Sequence, residues 1–185
     1  MTQGDRERWD ARFRAGEHVS RQPDAFFVAA LDTLGCPTKP ATALDLACGA
    51  GRHALELARR GWITSAWDLS AVALELVRTR ACEAAVEIAT REIDLAPQTP
   101  FAADASFELV VVVDFLERPL FPAFEQLVRR GGHLIYATFA PDWAGAIPSA
   151  RFRILPSEIL RGLKSFTPMA AQHLDGRSGV LARRL

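Results

Sequence analysis

Apolar and polar positions alternate along the chain in a way that separates helical from extended segments. Apolar side chains recur at helical spacing within residues 5–35, with a break around Gly16 and Pro23. After a linker at Pro37 and Pro40, short apolar runs alternate with further helical patterns. The pattern predicts strands at about 43–47, 62–68, 86–95, 107–113, 133–138, 167–174 and 178–184. It predicts helices at about 52–60, 71–84 and 119–129 and a last one starting at Pro156, with a loop over 97–104.

This order of elements is typical of an α/β protein with a mostly parallel sheet. The unbroken apolar run 109–113 within the predicted strand 107–113 indicates a strand buried on both faces, as in the middle of a sheet covered by helices. The dipeptide Asp175-Gly176 separates the last two strands and predicts a closing antiparallel hairpin. We therefore expect one domain over 1–185, with an N-terminal helical cap over 1–40 and a seven-stranded core over 41–185.

Composition and charge argue against several classes of protein. The 22 basic and 22 acidic residues cancel, whereas a dedicated duplex binder would normally show a basic surplus, so no nucleic-acid partner is expected. No apolar run approaches the roughly 20 residues of a membrane helix, and the charged N-terminus does not resemble a signal peptide, so we expect a cytoplasmic protein. Three cysteines and four histidines are scattered without metal-ligand spacing, which predicts a reducing compartment and no structural metal.

The segment 43–58 contains the residues that predict a cofactor site. It is typical of a buried strand, a glycine turn and a helix, and Gly49 to Ala54 fits the pattern G-x-G-x-x-G/A of nucleotide-type cofactor sites. Asp68 ends the next predicted strand, where a carboxylate can accept hydrogen bonds from a ribose diol. Asp45 argues against a dinucleotide, because its carboxylate would repel a pyrophosphate and attract a cofactor with an ammonium group.

These residues resemble the first motifs of class I S-adenosylmethionine-dependent methyltransferases, and most of all the small bacterial group that includes tellurite-resistance and thiopurine methyltransferases. The resemblance covers about residues 9–140, and the family fold is a Rossmann-like, doubly wound, mostly parallel seven-stranded sheet with a C-terminal antiparallel hairpin. The segments that carry it are 9–13, 44–53, 67–70, 92–95, 107–114 and 130–136.

The resemblance assigns the first set of cofactor contacts. Asp45 would face the ammonium end of S-adenosylmethionine, and Gly49 and Gly51 would leave room for its methionine part. Asp68 would bind the ribose hydroxyls, and Leu69 would pack on the adenine.

A second set follows from the same resemblance. Asp94 would accept from the adenine amino group, and the Leu95 N–H would donate to a ring nitrogen. The Asp114 carbonyl and the Phe115 side chain would lie near the methionine part. Ala47 belongs to the turn at a position where the family more often has glycine.

Several alternatives remain open at this stage. Asp45 and Asp68 could instead cap the helices that follow them. Methyl transfer to a small-molecule acceptor is the leading hypothesis. Its rivals are an NAD(P)-binding oxidoreductase that uses the same turn and a non-catalytic methyltransferase-like module. No catalytic residue is assigned, since Asp114, Glu117, Tyr136 and His18 are equal candidates for a base, and the oligomeric state stays open.

Overall fold

The computed structural model describes residues 3–95 and 106–185, and the predicted loop over 97–104 lies outside them. The chain divides into two compact units, one comprising Met1–Pro23 and Gly35–Thr99 and the other Asp24–Leu34 and Pro100–Leu185. Whether they behave as the single domain expected from the sequence stays a prediction. Among the described helices, none has the length and hydropathy needed to cross a membrane.

The first unit holds three parallel strands and three helices. In chain order they are α1 (Gln3–Arg14), β1 (Thr42–Leu46), α3 (Arg52–Arg59), β2 (Ile63–Asp68), α4 (Ala71–Glu83) and β3 (Ile88–Glu92). The strand order is β3-β2-β1, and the register pairs Leu46 with Trp67 and Asp68 with Glu92. The carboxyl ends of these strands therefore reach the same edge of the sheet.

The second unit combines parallel and antiparallel pairing. Its elements are α2 (Ala25–Leu34), β4 (Phe107–Val113), α5 (Phe124–Leu127), β5 (Val128–Phe139), α6 (Pro156–Gly162), β6 (Phe166–Leu174) and β7 (Arg177–Arg184). β4 runs parallel to β5, whereas β7 is antiparallel to both β5 and β6. Residues 109–112 of β4 have no solvent exposure, as the unbroken apolar run predicted. The predicted α/β class, with seven mostly parallel strands and a C-terminal antiparallel hairpin, is confirmed.

The predicted helix over 119–129 is confirmed only in part, because most of it is not α-helical and it ends at Leu127. Residues 118–123 form a 3-10 helix that contains Pro122, and only the four residues of α5 are α-helical. Proline lacks the N–H that an α-helix needs and clashes with the preceding turn, which favours this short form. β5 then begins at Val128, five residues before the predicted start at His133, and passes through Gly131 and Gly132.

The third strand is shorter than the pattern indicated. Val86 lies in the segment that follows α4, where its N–H donates to the Ala81 carbonyl, so it does not yet belong to the strand. At the other end the Ile93 N–H donates to the Asp68 carbonyl, beyond the last strand residue. Asp94 therefore follows the strand by two residues and does not end it.

Candidate functional site

The turn after β1 has a backbone that favours glycine. Gly49 and Gly51 have φ values of 51° and 77°, in the left-handed region that side chains disfavour. The Gly51 N–H donates to the Cys48 carbonyl at 3.0 Å, which closes the turn. Ala47 also adopts this region, with φ 55°, at the position where the resemblance expects glycine. The turn thus leads directly into α3, for which Gly51 is the N-cap.

Two glycines of the turn also allow close packing. A Cβ atom on Gly51 would lie 2.7 Å from a methyl carbon of Val77 in α4, too close for any side chain. A Cβ atom on Gly49 would lie 3.4 Å from the ring of Phe13 in α1. Gly51 therefore packs on α4, while α1 lies beside Gly49.

Asp45 lies inside the first unit, at the carboxyl end of β1. Its side chain is buried, and one carboxylate oxygen accepts a hydrogen bond from the Ala54 N–H at 2.9 Å. Burial raises the pKa of Asp45 to about 7, against the lowering effect of the Ala54 N–H. The neighbouring Asp68 charge raises the pKa of Asp45 further. The carboxyl therefore satisfies an N–H of the first turn of α3, which was the alternative role considered for it, and its contact with an ammonium group stays a prediction.

Asp68 joins the end of β2 to the glycine turn. One oxygen accepts from the Gly49 N–H at 2.8 Å, and the other accepts from the Ser70 N–H at 2.8 Å. The cap of α4 is Ser70, whose hydroxyl accepts from the Ala73 N–H, so Asp68 is not the helix cap. Burial raises the pKa of Asp68, although its backbone hydrogen bonds act in the opposite direction. A carboxylate offers about four lone-pair sites, more than the backbone N–H groups of Gly49, Leu69 and Ser70 occupy, so Asp68 can still accept from a further donor.

The remaining predicted residues of the first unit follow Asp68 and β3. Leu69 is buried beside Asp68, and Leu95 is 1% exposed. Asp94 is half-buried. The Ile93 N–H bond to the Asp68 carbonyl attaches this segment to the end of β2. The first unit therefore brings the Asp45, Asp68 and Asp94 segments to one edge of its sheet.

Asp114 and Phe115 belong to the second unit, after the end of β4. Asp114 has a φ of 59°, and its carboxylate lies 2.6 Å from a guanidinium nitrogen of Arg177. The same guanidinium lies 2.8 Å from Asp24, and its carbon is 4.4 Å from the centre of the Phe139 ring. The sequence did not predict this ion-pair cluster, because Asp24 and Arg177 are 153 residues apart in the chain.

Tyr136 is unsuited to remove a proton. Its hydroxyl donates to the Phe115 carbonyl at 2.7 Å, and only 1% of the residue is exposed. Burial raises the pKa of Tyr136 above its usual range. The phenol thus keeps its proton and anchors the backbone of Phe115.

Asp10 in α1 was not recognised as part of the site. Its carboxylate accepts a hydrogen bond from the Ser70 hydroxyl at 2.5 Å, so α1 is fastened to the N-terminus of α4. Phe13, one turn further along α1, packs against Ala50 and Ala73. The motif over residues 9–13 thus serves to seat α1 beside the glycine turn. Arg12, an exposed residue of the same motif, lies 3.6 Å from Glu17.

Arg80 is the second residue that sequence reasoning missed. It lies on the buried face of α4, and its guanidinium donates to the carbonyls of Ala50 and Val19 at 2.7 and 2.6 Å. The signal in the sequence is a charge within the otherwise apolar face formed by Ala73, Leu74, Val77 and Ala81.

The described residues include all three cysteines and four histidines of the chain. No group of three or more metal-ligating side chains occurs within 3–95 and 106–185. All three cysteines are free thiols, and Cys48 is buried in the turn. Burial raises the pKa of the Cys48 thiol, so it is a neutral packing residue.

Comparison with known proteins identifies a methyltransferase domain within the chain. Residues 43–132 match the family model described as "Methyltransferase domain". The ubiquinone biosynthesis O-methyltransferase of Alkalilimnicola ehrlichii is 35% identical over 100 residues, covering 51% of this chain and 40% of that protein. The enzyme of the same name from Pectobacterium atrosepticum is 28% identical over 159 residues, covering 72% of this chain and 64% of that protein. The chain thus spans 40% and 64% of the length of these two relatives.

Solved structures agree on the fold. TehB from Haemophilus influenzae superposes with a TM-score of 0.73 at 16% identity, covering 94% of this chain and 66% of that one. Geranyl diphosphate C-methyltransferase from Streptomyces coelicolor, solved with S-adenosyl-L-homocysteine, gives a TM-score of 0.69 at 19% identity, covering 87% and 79%. The glycine turn, the acid at the end of β2 and these matches agree with the resemblance noted in the sequence: residues 43–132 belong to a methyltransferase domain, and the chain has the fold of solved S-adenosylmethionine-dependent methyltransferases.

Proposed function

We propose that this protein binds S-adenosylmethionine at the glycine turn and transfers its methyl group to a small-molecule acceptor. The observation that carries the proposal is the hydrogen bond between the Asp68 carboxylate and the Gly49 N–H. It fixes a buried acid from the end of β2 against the left-handed turn after β1. A nucleoside with an amino-acid end needs both parts, an acid for the ribose diol and open backbone for the amino acid.

Each predicted residue of the first unit receives a role. Gly49 and Gly51 leave space for the methionine part, with Ala47 completing the turn. Asp68 binds the ribose hydroxyls through its remaining lone pairs. Asp45, buried below the turn, attracts the ammonium group directly or through water.

The adenine and the reactive end use the other predicted residues. Leu69 packs on the adenine, Asp94 accepts from its amino group, and the Leu95 N–H donates to a ring nitrogen. Contact of the Asp114 carbonyl and the Phe115 side chain with the methionine part stays a prediction from the resemblance, since both residues belong to the second unit. The Tyr136 hydroxyl supports this last role because it holds the Phe115 carbonyl.

The reaction is a direct displacement. A lone pair of the acceptor attacks the methyl carbon, and the bond from that carbon to the sulfonium breaks with its electrons going to sulfur. The products are the methylated acceptor and S-adenosylhomocysteine, and a proton leaves the acceptor oxygen or nitrogen where one is present. Since the sulfonium is already a good leaving group, the protein contributes mainly alignment, which is worth roughly 7–11 kcal/mol in favourable cases.

We infer that the acceptor atom is an oxygen of a small organic molecule. The support is that both relatives are ubiquinone biosynthesis O-methyltransferases. Balanced charge, with 22 basic and 22 acidic residues, favours such an acceptor over a nucleic acid. Methyl transfer from labelled S-adenosylmethionine to a panel of phenols, aliphatic alcohols, thiols and oxyanions tests the inference. Turnover of thiols or oxyanions alone would contradict it.

Calorimetry with S-adenosylhomocysteine tests cofactor binding. We expect saturable binding by the purified protein and at least about a tenfold loss of affinity in Asp68→Ala, because hydrogen bonds to a charged group are lost. Asp68→Asn keeps an acceptor and should lose less. Glu87→Ala, which removes an exposed acid, serves as the control. Binding of NAD(P) without binding of S-adenosylhomocysteine would overturn the proposal in favour of an oxidoreductase. Binding without turnover of any acceptor would favour a non-catalytic module.

A further inference from the structure

Arg80 occupies a position in the first unit that packing alone does not explain. The residue is 6% exposed, on a helix face whose other buried members are apolar. Its two hydrogen-bond acceptors are neutral backbone carbonyls, and within the described part of the chain no carboxylate forms a salt bridge with it. Burying a cation without a salt-bridge partner is costly, and here desolvation and the Arg21 charge lower the pKa of Arg80 while only the more distant Glu83 charge raises it. A leucine or methionine would therefore serve a purely structural purpose better.

One of its two acceptors is the middle carbonyl of the glycine turn. A guanidinium nitrogen of Arg80 donates to the Ala50 oxygen at 2.7 Å. That oxygen shares a peptide unit with the Gly51 N–H, which donates to the Cys48 carbonyl at 3.0 Å. Both ends of this peptide unit are therefore held, one by Arg80 and one by the turn itself.

This peptide unit needs to be held because glycine allows it to rotate. Gly51 has a φ of 77° and no Cβ, so alternative orientations of the 50–51 peptide carry little steric penalty for the residue itself. A rotated peptide would turn a carbonyl toward the space that the methionine part needs. The hydrogen bond from Arg80 selects the orientation in which the carbonyl points toward α4.

The second acceptor extends the effect to the segment that follows α1. Another guanidinium nitrogen of Arg80 donates to the Val19 carbonyl at 2.6 Å. Val19 packs against the cluster formed by Phe13, Ala50 and Ala73. The guanidinium of Arg80 therefore connects the glycine turn with Val19, in the segment that follows α1.

We propose that Arg80 is a positioning residue, which presets the glycine turn for the amino-acid end of S-adenosylmethionine by holding the Ala50–Gly51 peptide in one orientation. This inference rests on the proposed function. It implies that Arg80 affects the binding of the amino-acid part of the cofactor and leaves the binding of the nucleoside part unchanged. A residue that only stabilised the fold would affect both parts alike or neither.

The test compares two ligands, S-adenosylhomocysteine and 5′-methylthioadenosine, which has the nucleoside and the sulfur but no amino-acid end. In Arg80→Met we expect about a tenfold weaker affinity for S-adenosylhomocysteine, with the affinity for 5′-methylthioadenosine within twofold of the unchanged protein. Arg80→Lys, which can reach only one carbonyl at a time, should give an intermediate loss for the first ligand alone. Arg78→Met is the matched control, because Arg78 is exposed on the same helix and its partners are the exposed Glu75 and the half-buried Thr90.

A measurement on the unliganded protein separates this inference from the proposed function. We expect hydrogen exchange at the Gly51 amide to accelerate about tenfold or more in Arg80→Met or Arg80→Lys, and to stay unchanged in Arg78→Met. Unchanged Gly51 exchange, or parallel losses of affinity for both ligands, would overturn the role of Arg80. The unchanged protein could also bind neither ligand while Gly51 exchange still accelerates in the Arg80 variants. That result would overturn the proposed cofactor, but not the conclusion that Arg80 holds the Ala50–Gly51 peptide.

Discussion

Replacing Asp45 with asparagine tests the electrostatics of the turn. Asp45 is buried with one hydrogen bond from the Ala54 N–H, and burial raises its pKa to about 7. The carboxyl is therefore mostly neutral at pH 6 and mostly ionised at pH 7.5. If the ionised form attracts the ammonium group of the cofactor, affinity rises with pH across this range.

The size of the effect follows from the titration. With a pKa of about 7, the ionised fraction grows about eightfold between pH 6 and pH 7.5, and the affinity for S-adenosylhomocysteine should grow by a similar factor. Asp45→Asn removes this dependence and should bind about tenfold more weakly at pH 7.5. 5′-Methylthioadenosine lacks the ammonium group, so its affinity should not follow the titration.

Stability should change with pH in the opposite direction. The folded carboxyl holds its proton up to about pH 7, whereas the unfolded one releases it near 3.8. The folded state thus binds the extra proton, and the free energy of unfolding falls as pH rises from 4 through 7, by at most about 4 kcal/mol at 1.36 kcal/mol per pH unit. Asp45→Asn should flatten this profile.

Urea denaturation of the unliganded protein and calorimetry with both ligands, each at pH 6 and pH 7.5, measure these effects. Asp175→Asn is the control, since Asp175 is exposed and its φ of 50° suits asparagine as well. Parallel profiles of stability and affinity in Asp45→Asn and the unchanged protein would refute the reasoning.

Three further substitutions give separate tests. Ala47→Gly relieves the strain of an alanine in the left-handed region, which costs about 1–2 kcal/mol, but adds about 0.4–1 kcal/mol of chain entropy to the unfolded state. Urea denaturation should therefore show that the free energy of unfolding rises by up to about 1 kcal/mol. A clear fall in the free energy of unfolding would show that Ala47 is not strained. Phe13→Ala empties a buried site beside Ala50 and should reduce the free energy of unfolding by about 3–5 kcal/mol; a loss below 1 kcal/mol would show that α1 is not seated as described. Tyr136→Phe removes the bond to the Phe115 carbonyl and should destabilise by about 1–2 kcal/mol with kcat within threefold; loss of turnover at normal cofactor affinity would make Tyr136 the base.

The parts of the fold that the sequence predicts are those with strong local signals. The apolar run of β4 and the Asp175-Gly176 hairpin are found where the pattern puts them. Ser70, which directly precedes an apolar helical face in the sequence, caps α4. Here local preference and the final environment agree.

The features that the sequence did not predict have physical causes at specific residues. Pro122 and the β-branched Val128 turn an apparently helical stretch into a 3-10 helix followed by an early strand. Asp10 bonds to Ser70 and Arg80 to Ala50 across 60 and 30 residues. Such partners are chosen by tertiary packing, which no local pattern contains.

A crystal structure with S-adenosylhomocysteine tests the central claim most directly. The account predicts that both ribose hydroxyls donate to the Asp68 carboxylate and that the amino-acid end lies against Gly49 and Gly51. It also predicts that the Ala50 carbonyl still accepts from Arg80. A ligand bound elsewhere, or a ribose held by groups other than Asp68, would contradict it.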